Sequence, residues 1–265
     1  SFTVKAGFFV VGDTGSHMSV IKRKNGRFLI IDTIEMKEHV HKSLDSLTSM
    51  GDKIDAVLCV HPFHTNHIAY FHSIYPNAAL FGCPRHLRML PKLPWAGDLN
   101  EEKVREQFQD DVIMTIPAGC EFVAPKPPKS NHISSVLVYH PLSKTLHVDD
   151  TFMWYMNPSI AFRLVGIKPG QLQLHNSFQK KISDPIAFGE WLQNLLDTCS
   201  DLENICLSHN GNLIGHGAYL LQKLVEQSEK PLLELSEKIS KHGEPDIIYD
   251  TLEDEDEDGL HNACG

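Results

Sequence analysis

Apolar positions in this chain fall into two periods, and the alternation between them sketches the fold. R-F-L-I-I-D (Arg27–Asp32) and I-D-A-V-L-C-V (Ile54–Val60) are nearly continuous apolar runs, the pattern of strands buried on both faces. Gly7–Val11 and Ser19–Lys22 read as further strands around a G-D-T-G turn, with Asn25-Gly26 as a hairpin signal. Helical spacing takes over in Glu35–Met50, closed by Gly51, and in the shorter Ile68–Tyr75 and Glu101–Phe108. Ala79–Gly82, Asp111–Ile116, Glu121–Val123, Ser134–Tyr139, Thr145–Val148 and Asn204–Leu207 are the remaining predicted strands. Pro84–Pro94 reads as irregular, Pro125–Ser130 as a rigid loop, and H-N-G-N-L-I-G-H-G after Leu207 as a loop. Asp184–Cys199 predicts a helix with Ser183 or Asp184 as N-cap and Pro185 in its first turn. His216–Lys241 predicts another, kinked or broken at Pro231.

Mixed strands and helices over 265 residues indicate one α/β domain, residues 1–241, followed by an acidic tail, 242–265. The net charge of −10 argues against nucleic acid or an acidic membrane surface as partner, and the E-D-E-D-E-D run Glu253–Asp258 carries much of it. No stretch approaches the ~20 apolar residues of a membrane span. Six scattered cysteines without a C-x-x-C pair fit a reducing compartment, so an intracellular, cytoplasmic protein is expected. The chain opens at Ser1 and not Met, which leaves room for a removed targeting segment.

Candidate chemistry gathers where predicted strands end. In C-V-H-P-F-H-T-N-H-I (Cys59–Ile68) three histidines, His61, His64 and His67, stand three residues apart directly after a strand. His132 precedes a strand in S-N-H-I-S-S; Asp149 and Asp150 end one in T-L-H-V-D-D-T-F; His209 ends the last in I-C-L-S-H-N-G. Strand ends hold side chains on rigid backbone, which suits metal ligation by histidine and carboxylate. Plainer readings stand beside this one. His64 and His67 would cap the helix beginning near Ile68, Asp150 would cap a turn, H-N-G would be turn chemistry, and His216 would simply begin a helix. Asp32 would hold the histidine loop by hydrogen bonds, and Phe152–Tyr155 would be core or pocket wall.

Taken in order, I-I-D-T, the histidine run, the histidine before a hairpin, L-H-V-D-D-T-F and L-S-H resemble the metallo-β-lactamase fold superfamily up to about residue 220. Y-P-N-A-A-L-F-G-C-P (Tyr75–Pro84), Leu90–Pro94 and Y-H-P-L-S-K-T-L (Tyr139–Leu146) look like the branch known as domain of unknown function 4336. The resemblance implies an αββα sandwich with one or two metal ions at the strand ends. Its usual H-x-H-x-D-H motif is altered here: His64 and His67 match, while Pro62 and Asn66 replace a histidine and the aspartate. It further implies His132, Asp150 and His209 as ligands. One position would keep His64, His132 and Asp150, three ligands with a place left open, the count of a catalytic zinc site. A second would keep His67, Asp150 and His209, with Asn66 a poorer ligand and unable to accept a proton.

The expected function is therefore that of a mononuclear hydrolase of a small ester, lactone, thioester or phosphodiester. Its cofactor would be one Zn2+ rather than two, with iron less favoured, lowering the pKa of a bound water toward ~7. Asp150 and His216 are the expected catalytic residues, with His140 and His147 as further proton donors or partners of the ligands. The rival expectation is a pseudoenzyme of the same fold that binds a ligand or partner. Substrate and oligomeric state are not legible.

Overall fold

The computed structural model describes residues 2–5, 8–12, 17–124, 133–164, 166–175, 178–208 and 211–242. Among them, the first sheet runs in chain order through β1 (Phe2–Lys5), β2 (Phe8–Gly12), β3 (His17–Lys22), β4 (Phe28–Ile31), β5 (Ile54–Cys59), β6 (Ala79–Gly82) and β7 (Trp95–Asp98). It is antiparallel as far as β4 and parallel from β4 to β7. The second contains β8 (Ile113–Thr115), β9 (Leu137–His140), β10 (Thr145–Asp149), β13 (Asn204–Leu207) and β14 (Asn212–Ile214), in the order β14-β13-β10-β9-β8. β11 (Phe152–Met153) and β12 (Gln173–Leu174) pair separately.

Two-faced burial explains the continuous apolar runs. In β4, Phe28 and Ile30 face a layer holding Val40 and Leu44 of α1 (Glu38–Thr48) and Ile68 and Phe71 of α2 (Ile68–Ile74). Leu29 and Ile31 face the other way, into a layer shared with Val136, Val138 and Cys206 of the second sheet. That sheet's outer face, with Leu137, Leu146, Val148 and Ile205, packs on α7 (Pro185–Thr198) and α8 (Gly217–His242). Each sheet thus separates helices from its partner, which is the expected αββα sandwich. The inter-sheet layer positions the site, because parallel strands from both sheets end beside it.

Local chemistry sets the boundaries. α1 turns off through left-handed Ser49, Met50 and Gly51; a Cβ on Gly51 would stand 2.3 Å from Tyr75 Cδ1, so glycine is required. α7 begins as expected, Asp184 accepting from the Ile186 and Ala187 N–H groups ahead of Pro185. Four expectations fail. Pro84–Pro94 is not irregular: α3 (Pro84–Met89) starts there, with proline at its first turn and Cys83 and His86 capping reciprocally, and β7 follows. Glu121–Val123 is not a strand, because Glu121 Oε1 takes the N–H groups of Val123 and Ala124 into a turn. Asn212–Ile214, expected as loop, pairs with β13 as an edge strand. α8 runs past Pro231 without the break expected as one alternative there, since Leu224, Val225, Leu232 and Leu235 stay buried on both sides of it. That packing outweighs the ~3 kcal/mol cost of an internal proline. The Glu253–Asp258 run lies outside the described residues. No helix among the described residues is long and apolar enough to cross a membrane.

Candidate metal centre

Four strands of the two sheets end at one place. β4 ends at Asp32, β5 leads into the His61–His67 loop, β10 ends at Asp149 and Asp150, and β13 ends at Ser208. The sheets are tied together here: the Val136 N–H donates to Val60 O at 2.9 Å, and His17 Nδ1 lies 2.7 Å from Leu207 O. A cleft opens above, lined by Asp32, Phe63, His64, Asn66, His67 and Ser208, among others.

His64 is the hub. Its Nδ1 lies 3.4 Å from Asp149 Oδ1 and its Nε2 3.4 Å from Asp150 Oδ2. His61 lies behind it, ring centroids 4.2 Å apart, with Nε2 3.9 Å from Asp150 Oδ2. His61, His64, Asp149 and Asp150 offer ligand atoms within 4.8 Å of one another. The Phe63 N–H donates to His61 Nδ1 at 3.2 Å, so the neutral ring carries its proton on Nε2, toward Asp150. In that tautomer His61 turns an N–H and not a lone pair toward Asp150, a neighbour of the cluster more than a ligand in it. Asp32, at φ 58°, accepts the Val60 N–H on Oδ1 at 2.9 Å and so fixes the backbone entering the histidine loop.

Charge is concentrated in a dry place. Burial alone would lower the His64 pKa, but the adjoining Asp149 and Asp150 carboxylates raise it well above the ordinary histidine value. Asp149 is pushed well above the carboxylate range by burial and by Asp32. Burial presses Asp32 the same way, yet the adjoining His147 and Asp149 side chains and the nearby His64 leave it below that range. Desolvation lowers His67.

The donors present fit a metal ion. Two donors about 2.0–2.1 Å from a tetrahedral ion stand about 3.3 Å apart, whereas a charge-assisted hydrogen bond closes to about 2.8 Å. Both His64–carboxylate separations match the first spacing.

Among solved structures, the DIM-1 metallo-β-lactamase aligns over 86% of this chain and 96% of its own, with a TM-score of 0.57 at 15% identity. The chain has the metallo-β-lactamase fold. The same fold relates it to the rubredoxin oxygen:oxidoreductase of Desulfovibrio gigas, over 86% of this chain and 61% of that one (TM-score 0.56, 13% identity). It also relates it to a variant of the sec-alkyl sulfatase PisA1, over 91% and 42% (TM-score 0.51, 13% identity). No protein-family model and no curated protein matches the sequence, so the likeness to the 4336 branch rests on its sequence words alone.

Within this metallo-β-lactamase fold the expected site residues are not all brought together. His64 and Asp150 come together as described. His67 lines the cleft at the residue preceding α2 without capping that helix through its side chain, and Asn66 lines the cleft in an exposed position. His132 and His209 lie outside the described residues. His216 is exposed, with φ 62°, immediately before α8. His140 is buried at the end of β9, opposite Thr145 at the start of β10 and away from the cluster, bonded to Ser143 Oγ at 2.8 Å.

Asp149 was named only as one of two aspartates ending a strand, yet it touches His64 directly. A signal was available: in L-H-V-D, period two turns Leu146 and Val148 to the helices and His147 and Asp149 to the opposite face.

Proposed function

We propose that this protein is a metal-dependent hydrolase of a small ester, lactone, thioester or phosphodiester, with one zinc ion as its working cofactor. The observation carrying this reading is the meeting of His64 with Asp149 and Asp150 beneath an open cleft, at ligand spacing and not at hydrogen-bond spacing. His64 and Asp150 would hold the ion, with His132 from the resemblance as third ligand and the fourth place left to water. The ion would supply Lewis acidity and make a water nucleophilic near neutral pH.

The chain's own residues account for the remaining steps. Asp150, beside His64 at the floor of the cleft, would receive the proton released as a water attacks, since Asn66 cannot. The ring of Phe63, backed by the buried Arg85 guanidinium at 4.5 Å, gives the cleft an apolar wall suited to the apolar part of an ester-bearing substrate. His216, exposed before α8, would act on the departing group only from the rim.

Elemental analysis of the purified protein, with turnover of a chromogenic ester, lactone, thioester and phosphodiester panel, tests the reading. At least one zinc per chain is expected, with turnover lost in His64→Ala and reduced at least 100-fold in Asp150→Asn. A folded protein that holds no metal after zinc dialysis sinks it. In that event the second reading stands, a ligand-binding protein without turnover. It is favoured by the His64 imidazolium already balanced between two carboxylates, a state that needs no ion.

A further inference from the structure

The layer between the sheets is apolar for most of its extent, built from Ile31, Leu58, Val60, Val136, Val138 and Cys206 among others. Into it project Ser19 of β3, Asp32 at the end of β4, and His147 and Asp149 of β10, all within 3% of complete burial. Each of the three ionisable side chains has one polar atom engaged. His147 Nδ1 meets Ser19 Oγ at 3.0 Å, Asp32 Oδ1 accepts from Val60, and Asp149 Oδ1 accepts from Ser208 Oγ. Each also has one buried polar atom with no hydrogen-bond partner: His147 Nε2, Asp32 Oδ2 and Asp149 Oδ2. Native proteins rarely leave such atoms unanswered, and here three occur on neighbouring side chains.

Their arrangement points to what would answer them. Ligand atoms of Asp32, His147 and Asp149 lie within 4.8 Å of one another. His147 Nε2 stands 3.5 Å from Asp32 Oδ2, too far for a hydrogen bond between a histidine and a carboxylate and close to the ligand spacing found at His64. With Ser19 accepting from Nδ1–H, Nε2 presents a lone pair, the arrangement usual for a ligating histidine.

We propose that Asp32, His147 and Asp149 bind a divalent cation inside the inter-sheet layer, with Asp149 common to this position and the one at His64 and Asp150. One imidazole and two carboxylates form a borderline-to-hard donor set that suits zinc, iron(II) or manganese(II). This is not the second position implied by the H-x-H-x-D-H motif, which draws on residue 66, His67 and His209. Its ligands come from both sheets, so the ion would link them and set the orientation of the Asp149 carboxylate beside His64. It adds to the hydrolase reading but does not depend on metal at His64.

The test is zinc stoichiometry of the full chain after dialysis against zinc and removal of the excess, read by elemental analysis together with the melting temperature. Two zinc ions are expected per chain, falling to one in His147→Leu and one in His64→Ala. Asp32→Asn, which keeps an oxygen for the Val60 N–H, serves as a second variant should His147→Leu not fold. A wild-type protein with one zinc, kept in His147→Leu and lost in His64→Ala, overturns the inter-sheet site and leaves the hydrolase reading intact. One zinc lost in His147→Leu and Asp32→Asn but kept in His64→Ala supports the inter-sheet site and sinks the hydrolase position. No zinc in any form overturns both.

Discussion

The two ends of the inter-sheet layer are built from the same strands and filled in opposite ways. At one end Ile21, Leu29, Ala56, Phe108 and Val112 pack without a polar atom among their side chains. Arg23 closes that end, its guanidinium 2.7 Å from Asp55 and 2.8 Å from Asp111, so each charge there is answered. Two pairs further along β3 and β4, the layer holds Ser19 and Asp32, met from the second sheet by His147 and Asp149. Carboxylate and imidazole atoms at that end lack hydrogen-bond partners. One end supplies stability and the other sacrifices it, and a fold that keeps such a conflict keeps it for chemistry.

The apolar end gives the largest expected effect. Leu29→Ala removes a fully buried side chain from the inward face of β4 and should destabilise by about 3–4 kcal/mol. Urea unfolding of zinc-loaded and chelated protein should return the same loss, because the two ends share no side-chain partner. A loss that differs by more than about 1 kcal/mol between the two forms would show the ends to be coupled.

Protons sharpen the contrast next. His86 of α3 is completely buried, parallel to the Trp95 ring at 6.0 Å, with Nδ1 accepting the Cys83 N–H. Burial pushes its pKa down to about 4, against an opposing pull from Asp32. The unfolded chain therefore binds this proton more readily than the folded one. The His86 contribution is complete above about pH 6.5 and is lost as pH falls through about 4, reaching about 3 kcal/mol. Unfolding free energies at pH 7 and pH 4 should differ less in His86→Gln than in the wild type by about that amount. Equal differences would break the assignment. His64 is shifted upward, so its contribution in metal-free protein is complete below about pH 6.5 and fades as pH rises toward its folded value.

How much of this contrast could be read in advance depends on the range of the interactions. Buried strands β4, β5 and β10 were legible because both faces of each are apolar or inward, and the α7 cap was legible because Asp184 and Pro185 act within one turn. α3 was missed because proline at a first helical turn looks like a breaker when its cap, Cys83 with His86, goes unrecognised. β14 was missed because an edge strand of three residues is specified by its neighbour β13 more than by its own composition. That the site lies at the strand ends was visible. That Asp32 faces His147, 115 positions later, was not, since no local pattern encodes which strands of two sheets oppose each other.

Asp149 lets the cost of the polar end be measured. It holds φ 49°, a left-handed conformation that glycine adopts freely, and its carboxyl is wholly buried. Asp149→Gly should stabilise the metal-free protein by about 1 kcal/mol, relieving backbone strain and a buried acid at the expense of the Ser208 hydrogen bond. Zinc retained after dialysis should fall in the same variant. Destabilisation of the chelated protein would mean that the Ser208 bond outweighs the strain, and the polar end would then be self-sufficient.

The smallest effect is expected where the sequence motif departs most plainly from its relatives. Asn66→Asp restores the aspartate of H-x-H-x-D-H, and a reading by motif alone expects a substantial gain in metal affinity. Residue 66 is exposed and lines the open cleft. A carboxylate there remains hydrated, and its field at the cluster is screened by the water of an open cleft. Zinc affinity measured by chelator competition should therefore change less than about threefold, under ~0.7 kcal/mol. A tightening of tenfold or more would require the His61–His67 loop to close on the ion through residue 66. The cluster beneath it would then be only part of the working site, and the balance between the two ends of the layer would be set by that loop as well as by the strands.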